Sequence, residues 1–154
     1  MIAVIQRVNS ARVIADGTLS GEIGKGLYIL LGVERDDERA DATVLAEKIS
    51  KLRIFTDAFD KMNLSVNDVM GEVLVVSNFT LNANYKHGNR PDYLASAPPA
   101  LANELYEFFK NEIGSKVSGG CKSGVFGADM QTEMVTDGPV TIVMHSSVLR
   151  RKEA

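Results

Sequence analysis

Apolar residues alternate with polar ones, or form short continuous runs, along most of the chain, and both patterns are typical of β-strands. Residues 2–8 are rich in β-branched side chains, and residues 11–15 continue that character after Asn9-Ser10. We therefore expect two strands in this region. Asp16-Gly17 is a typical hairpin signal, so a third strand over residues 19–23 should pair back on them.

Two continuous apolar runs, residues 27–33 and residues 73–76, have the length of strands that are buried on both faces. The first of them is expected to lie at the centre of the sheet. Residues 52–55 should form a further short strand, followed by a polar loop over residues 56–63.

Helical periodicity appears twice. Apolar residues recur at helical spacing between Ala40 and Ile49, with acidic residues before them and lysines at the end. The second helix is expected to open at Pro98-Pro99 with Ser96 as its cap, and to end at Gly114.

The last part of the chain is predicted to be a linker over residues 115–124 and two strands over residues 125–135 and 140–146. The Gly138-Pro139 step between them favours a rigid hairpin corner, because proline cannot donate to a sheet. With about eight strands and two helices, the chain should be a mixed α+β fold whose helices cover one side of the sheet. We expect one domain over residues 1–147 and a basic tail over residues 148–154.

Composition narrows the classes of function. The net charge of -3 argues against non-specific adhesion to nucleic acid. No apolar run approaches the roughly 20 residues of a membrane span, and the first residues lack a signal-peptide pattern, so we expect a cytoplasmic protein that does not contact membranes. The single cysteine, Cys121, and two distant histidines predict neither a disulfide nor a metal site.

Two basic segments leave an alternative open. The loop Lys86-His87-Gly88-Asn89-Arg90 and the tail Arg150-Arg151-Lys152 are either solvated surface or local patches that attract a polyanion.

Conventional catalytic groups are scarce. Ser77, Thr80 and Thr141 are the candidate nucleophiles, but the chain has no Gly-x-Ser-x-Gly elbow and no carboxylate pair at a recognisable spacing. A reaction on this scaffold would depend on main-chain donors, bound water or the substrate itself.

Nearly from end to end, the chain contains segments that match one known family. They are Gln6-Arg7-Val8, Gly26-Leu27, Gly32-Val33, Leu52-Arg53-Ile54-Phe55, Lys61-Met62-Asn63-Leu64-Ser65, Val75-Val76-Ser77, Phe79-Thr80-Leu81, Arg90-Pro91, Val125-Phe126-Gly127-Ala128-Asp129-Met130-Gln131 and Asp137-Gly138-Pro139-Val140-Thr141. In these segments the chain resembles the homodimeric D-aminoacyl-tRNA deacylases, the DTD family. The family signatures are Ser-Gln-x-x-Leu and Asn-x-Gly-Pro-x-Thr. This chain departs from them at Asn78 and Thr136, which puts rate and substrate range in question.

The resemblance implies a barrel-like, three-layer α/β/β architecture with two main helices, and hydrolysis of the ester between a D-amino acid or glycine and the 3′-terminal adenosine of tRNA, without a cofactor or metal. It implies a cis Gly138-Pro139 bond that crosses the dimer interface, where its carbonyl groups bind the substrate's α-amino group. An L side chain would then clash, which explains how such an enzyme spares correct L-aminoacyl-tRNA.

By the same resemblance, the catalytic residues are Ser77, Asn78, Phe79 and Thr80. Backbone N–H groups near Phe79 and Thr80 would stabilise the oxyanion, the terminal ribose 2′-hydroxyl would help to activate water, and Thr80 has a positioning role rather than a nucleophilic one.

The resemblance places seven residues in substrate binding: Gly138, Pro139, Val140, Thr141, Phe126, Arg7 and Met130. Phe126 is either a stacking partner for the terminal adenine or a core aromatic. Arg7 would hold the Gly-Pro turn of the partner subunit.

Two alternatives to a D-specific deacylase remain. Asn78 and Thr136 are also compatible with a weakened homologue that binds aminoacyl-tRNA ends without useful turnover, or with a deacylase of altered chirality or tRNA preference.

Overall fold

The computed structural model describes residues 1–151, which form eight strands, three α-helices and one 3-10 turn. In chain order the elements are β1 Ile2–Ala15, β2 Thr18–Ile23, β3 Gly26–Gly32, α1 Arg39–Ser50, β4 Phe55–Thr56, β5 Met62–Leu64, β6 Glu72–Ser77, the 3-10 turn Phe79–Asn82, α2 Pro99–Lys116, β7 Cys121–Ser123, β8 Met130–His145 and α3 Ser146–Arg150.

One six-stranded sheet organises the fold, with the order β2-β1-β3-β6-β7 and β8 paired to the other edge of β1. β3 lies at its centre, as the apolar run predicted, and pairs in parallel with β6. The first half of β1 pairs with β3 and the second half with β2, while β8 follows β1 along both halves. This shared long strand curls the sheet into the barrel-like shape that the family resemblance implied.

Two predictions about the strands were wrong for the same reason. Residues 2–8 and 11–15 belong to the single strand β1, and residues 130–145 form the single strand β8. The pairing register shifts twice between these strands, at Arg7 and again near Asn9, so irregular stretches are absorbed as bulges. Gly138-Pro139 is therefore a bulge within a strand and not a hairpin corner.

The helices cover one face of the sheet and bury the main core. α1 begins and ends close to the predicted positions, and Glu38 and Asp41 form a reciprocal capping box at its start. α2 opens at Pro99, as predicted, but its flanking residue Pro98 provides no side-chain cap. The predicted cap, Ser96, instead bonds to the 3-10 turn, and the helix continues past Gly114 to Lys116.

Two segments that were predicted as loop or linker contain short regular elements. The polar loop after residue 55 contains β5, which pairs with β4, and the predicted linker over residues 115–124 contains the end of α2 and β7. Short polar strands such as these carry too few apolar residues to give a periodic signal.

The beginning and end of the described chain meet beside α1. The Met1 ammonium donates to Glu34, Asp37 and Ser146, and Arg150 in α3 pairs with Glu38 and Asp41. Part of the predicted basic tail thus lies in a helix, while Lys152 lies outside the described residues. Of the three helices in residues 1–151, none combines the length and apolarity that crossing a membrane requires.

Candidate active site

The chain turns sharply where β6 ends. Ser77 is the last residue of β6 and lies opposite Leu31 in the central strand. Asn78 is extended, with φ -149° and ψ 94°, and the 3-10 turn begins at Phe79. We call this stretch, residues 77–82, the Ser77 corner.

Asn78 caps the 3-10 turn. Its Oδ1 accepts a hydrogen bond from the Thr80 amide at 3.2 Å and another from the Thr80 hydroxyl at 2.5 Å. Both Thr80 donors are therefore engaged by one side chain. The amide N–H of Phe79 has no acceptor within residues 1–151, which leaves it as the open main-chain donor of the corner.

A cavity of about 530 Å³ opens beside the corner. Four aromatic side chains form much of its wall, namely Phe79, Tyr93, Tyr106 and Phe126. None of the described residues that line it carries a charge; the others are Leu31, Val33, Ser77, Asn78, Ser96, Ala97, Pro99, Ala102, Gly127, Ala128 and Met130. The site thus offers an amide, hydroxyls and ring faces rather than a side-chain acid–base pair.

Three residues to which the sequence assigned no role in the site fix the corner in place. The Ser96 hydroxyl donates to the Phe79 carbonyl at 3.1 Å, and the Asn82 amide donates to Val33 O at 2.8 Å. A Cβ on Gly32 would lie 3.0 Å from Leu81 Cβ and 3.2 Å from Asn78 O. Only glycine therefore lets the corner approach β3 this closely. No periodic pattern or motif in the sequence marks such contacts.

Phe126 has features of both environments predicted for it, the core and the ligand site. It is half-buried against the main core, with its ring 5.9 Å from that of Tyr106, and it also lines the cavity. Burial raises the pKa of the Tyr106 hydroxyl, which donates to Val75 O at 3.1 Å and so fixes the wall behind Phe126.

The Gly138-Pro139 segment is exposed and lies in β8. Gln6 is paired with Thr141 and Val8 with Thr136, so four residues of β8 face the single residue Arg7 of β1. The Gly138-Pro139 peptide bond is cis, as the resemblance implied, and Gly138 has φ +125°.

Arg7 is buried and holds this segment in its own chain. Its Nε lies 3.1 Å from Asp137 Oδ2 and 3.2 Å from Asp137 O, and its Nη1 donates to Ile54 O at 2.7 Å. The expectation that Arg7 also holds the partner subunit's segment stays a prediction.

The predicted site residues fall into two groups. Ser77, Asn78, Phe79, Phe126 and Met130 line the cavity, and Thr80 adjoins it through Asn78. Arg7, Gly138, Pro139, Val140 and Thr141 do not line it. Between β8 and β6 lie the two strands β1 and β3, so within the sheet of one chain the two groups remain apart.

Other reactive groups lie outside this site. Burial raises the pKa of the Cys121 thiol to about 11, which keeps it protonated at neutral pH. Among residues 1–151, no cluster of three or more His, Cys, Asp or Glu side chains is arranged to hold a metal ion.

The sequence matches a family model described as D-Tyr-tRNA(Tyr) deacylase over residues 4–145. This chain belongs to that family. A D-aminoacyl-tRNA deacylase of Haemophilus influenzae strain PittEE is 52% identical over 141 residues, which cover 92% of this chain and 96% of that relative. A D-aminoacyl-tRNA deacylase of Akkermansia muciniphila is 51% identical over 146 residues, covering 95% and 97% of the two chains.

Solved structures agree with the fold. A structure titled c-Myc DNA Unwinding Element Binding Protein superimposes with a TM-score of 0.88 at 37% identity and covers 94% of this chain and 98% of its own. Another, titled as a probable eukaryotic D-amino acid tRNA deacylase, has a TM-score of 0.82 over 93% and 97% of the two chains. At 12% identity, the second likeness concerns the fold alone.

Proposed function

We propose that this protein is a D-aminoacyl-tRNA deacylase, which hydrolyses the ester between a D-amino acid or glycine and the 3′-terminal adenosine of tRNA. The observation that carries the proposal is the identity of about half of all residues, over more than nine-tenths of the chain, to D-aminoacyl-tRNA deacylases. The uncharged cavity with its open amide supplies the chemistry that such a reaction needs.

The Phe79 N–H is the donor for the developing oxyanion. It lies at the first position of a 3-10 turn, where amide groups lack partners within the turn, and it is held by the Asn78 cap and the Ser96 contact. One well-placed donor of this kind stabilises an acyl-transfer transition state by about 2.7–4 kcal/mol. A water molecule activated with the help of the ribose 2′-hydroxyl then attacks the ester carbonyl.

Thr80 is a positioning residue in this mechanism. Its hydroxyl donates to Asn78 Oδ1, and an amide oxygen does not serve as a base that could activate the hydroxyl for attack. The same Asn78 oxygen holds the Thr80 amide, so the shorter side chain at this position ties down a donor that the resemblance had assigned to the oxyanion.

The aromatic wall binds the terminal adenosine. A cavity of about 530 Å³ is in the size range of small-ligand sites, and the Phe126 ring offers a face on which adenine stacks. Met130 lines the same side and packs against Gly124, where an added Cβ would lie 2.5 Å from the Met130 Sδ. The α-amino acid end of the substrate then points towards the open mouth.

The Gly138-Pro139 segment reaches the cavity of a second copy of the chain. In one chain it is exposed, is separated from the cavity by two strands and is anchored by Arg7. An apolar row runs beside it across the outer face, because Val4 pairs with both Leu30 and Val143, and Val143 is 60% exposed. Such a row is suited to contact with a second subunit.

Recognition of chirality follows from that arrangement. The carbonyl groups of the Gly-Pro segment bind the substrate's ammonium group, and the main chain leaves no space for a side chain in the L direction. A D side chain points away from the segment, and glycine has none. Clash with the wrong enantiomer thus protects L-aminoacyl-tRNA.

The test is to follow ester loss from D-Tyr-tRNA and L-Tyr-tRNA with the purified protein. We expect rapid loss of the D ester and loss of the L ester at the spontaneous rate. Spontaneous decay of both would favour a weakened homologue that only binds, and comparable enzymatic loss of both would favour altered chirality.

A further inference from the structure

An exposed hairpin next to the cavity has no role in the mechanism above. Its neck is a pair of backbone hydrogen bonds between Asn84 and Asp92, at 2.8 and 2.9 Å, closed further by a side-chain bond of 3.0 Å. Between them, Tyr85-Lys86-His87-Gly88-Asn89-Arg90-Pro91 is exposed at every position. We call these seven residues the hairpin tip.

The hairpin tip is cationic and carries an aromatic ring. It contains Lys86 and Arg90 but no acidic residue, and within residues 1–151 neither cation has a carboxylate within salt-bridge distance. The Tyr85 side chain is 82% exposed. Cations next to an exposed aromatic ring are typical of sites that bind single-stranded nucleic acid.

The hairpin leads directly into the wall of the cavity. Tyr93 follows the neck, and its ring packs edge-on against Phe79 with 5.1 Å between the ring centroids. Both rings line the cavity. A strand whose last nucleotide occupies the cavity and that leaves on the side of Tyr93 would pass the hairpin.

The opposite side of the neck carries charges of both signs. Asn84 and Asp92 border a separate depression whose carboxylates, Glu34, Asp36, Asp37, Asp41 and Asp92, lie among the Met1 ammonium, Arg35, Arg150 and Arg151. The tip, in contrast, carries cations alone, so it attracts phosphates locally although the overall charge is -3.

We propose that the hairpin tip binds the tRNA acceptor strand immediately before its terminal adenosine, with Lys86 and Arg90 on phosphates and Tyr85 stacked on a base. The proposal rests on the deacylase function, since it uses the same cavity for the terminal nucleotide. It proposes the path along which the tRNA strand leads away from the cavity, and it gives a function to the basic loop Lys86-His87-Gly88-Asn89-Arg90.

The experiment compares Lys86→Gln/Arg90→Gln with the wild type, and the single variant Lys86→Gln with Lys48→Gln as its matched control. Lys48 is an exposed lysine of α1 that does not line the cavity. Binding of a fluorescent acceptor-stem RNA hairpin with a single-stranded 3′ end is measured at several salt concentrations, and hydrolysis is measured with D-Tyr-tRNA and with 3′-O-D-tyrosyl-adenosine.

For the double variant we expect the magnitude of the negative slope of log K against log salt to fall by about 1.4, because each of the two lost contacts to single-stranded phosphate accounts for about 0.7. The KM for D-Tyr-tRNA should rise about 5- to 30-fold, with unchanged hydrolysis of the tyrosyl-adenosine. Tyr85→Ala should weaken RNA binding about fivefold or more, and Lys48→Gln should match the wild type.

An unchanged salt slope in the double variant would overturn the proposal, as would an equal loss with tyrosyl-adenosine. Failure of the deacylase function looks different. In that case the wild type hydrolyses neither ester, while the direct RNA-binding measurement still decides whether the hairpin tip contacts RNA.

Discussion

The Ser77 corner and the Gly138-Pro139 segment differ in how completely one chain builds them. The corner is fixed entirely by its own chain, which supplies its cap, its carbonyl contact with Ser96 and its close approach to Gly32, although the Phe79 side chain is 60% exposed. The segment is exposed at Gly138 and Pro139, and it is fixed from behind by Arg7.

On this basis we propose different roles for the two regions. The corner would carry the chemistry, because a single misplaced amide would lose the oxyanion contact and the contacts within the chain keep it in place. The segment would select the substrate, which needs a rigid surface that faces another molecule. Both roles are compatible in one enzyme if the segment of one subunit covers the corner of the other.

Phe79→Pro should have the largest effect on the corner. Proline lacks the N–H, and the position accepts it sterically because Asn78 is extended and residue 79 begins the turn. We expect kcat for D-Tyr-tRNA to fall about 100- to 1000-fold, as for loss of an oxyanion donor.

The matched control is Phe79→Ala, which removes the ring and its contact with Tyr93 but keeps the amide. Steady-state kinetics should show a much smaller loss of kcat in this variant. Equal losses in both variants would mean that the ring, and not the amide, is what the reaction needs.

Gly138→Ala tests the segment. Gly138 has φ +125°, and an added Cβ would lie 2.9 Å from Val140 N, so the carbonyl groups must move. We expect a loss of about 10- to 100-fold in kcat/KM for the D ester and a reduced preference for D over L, because displacement by about 1 Å can cost 100-fold.

Gly17→Ala is the control for backbone strain. Gly17 also has a positive φ, +82°, but its Cβ would meet nothing within 4 Å. Gly17→Ala should lose about 1–3 kcal/mol of unfolding free energy in urea titrations through backbone strain alone, Gly138→Ala should lose at least as much, and only Gly138→Ala should change discrimination. Unchanged discrimination between the D and L esters would mean that Gly138-Pro139 has only a structural role.

Gly32→Ala should have an intermediate effect on the corner. The new Cβ would press on Leu81, Asn82 and the Asn78 carbonyl at 3.0 to 3.2 Å, which shifts the Phe79 amide. We expect about a tenfold loss of kcat and about 1–3 kcal/mol of unfolding free energy. Gly24→Ala, whose nearest neighbour would be 4.0 Å away, should behave as the wild type; a normal kcat in Gly32→Ala would show that the corner tolerates displacement.

Thr80→Val should have the smallest effect, because it keeps the shape and the Asn78 contact of the backbone amide while removing the hydroxyl. We expect kcat within about threefold of the wild type and a loss of about 0.5–1.5 kcal/mol in unfolding free energy. Abolished turnover with normal RNA binding would restore Thr80 as a nucleophile.

The sequence predicted the central strands and both long helices, because long apolar runs and helical spacing are local signals. The sequence prediction failed where pairing with a distant strand continues a strand across a local irregularity. Gly138-Pro139 reads as a corner in the sequence, yet β1 pairs on both sides of it and keeps β8 continuous. A turn signal cannot reveal that a partner strand bridges the interruption.

The site was predicted from the family motifs rather than from residue chemistry. The motifs identified Ser77 to Thr80 but not Ser96, Asn82 or Gly32, whose importance depends on contacts between distant segments. The departure at Asn78 acquires a specific meaning in the structure, because the shorter amide engages both donors of Thr80. Thr136, the other departure, lies opposite Val8 at the start of the bulge.

The central claim is that one subunit supplies the corner and the other the segment, and mixed dimers test it most directly. Phe79→Pro and Gly138→Ala chains, each expected to keep at most about a tenth of wild-type activity, are unfolded together and refolded as a mixture, and D-Tyr-tRNA hydrolysis is measured. With random pairing, half of the dimers contain one intact site of two, so we predict recovery of about a quarter of wild-type activity. A mixture as inactive as its components would contradict the claim, because the corner and the segment would then have to act within one chain.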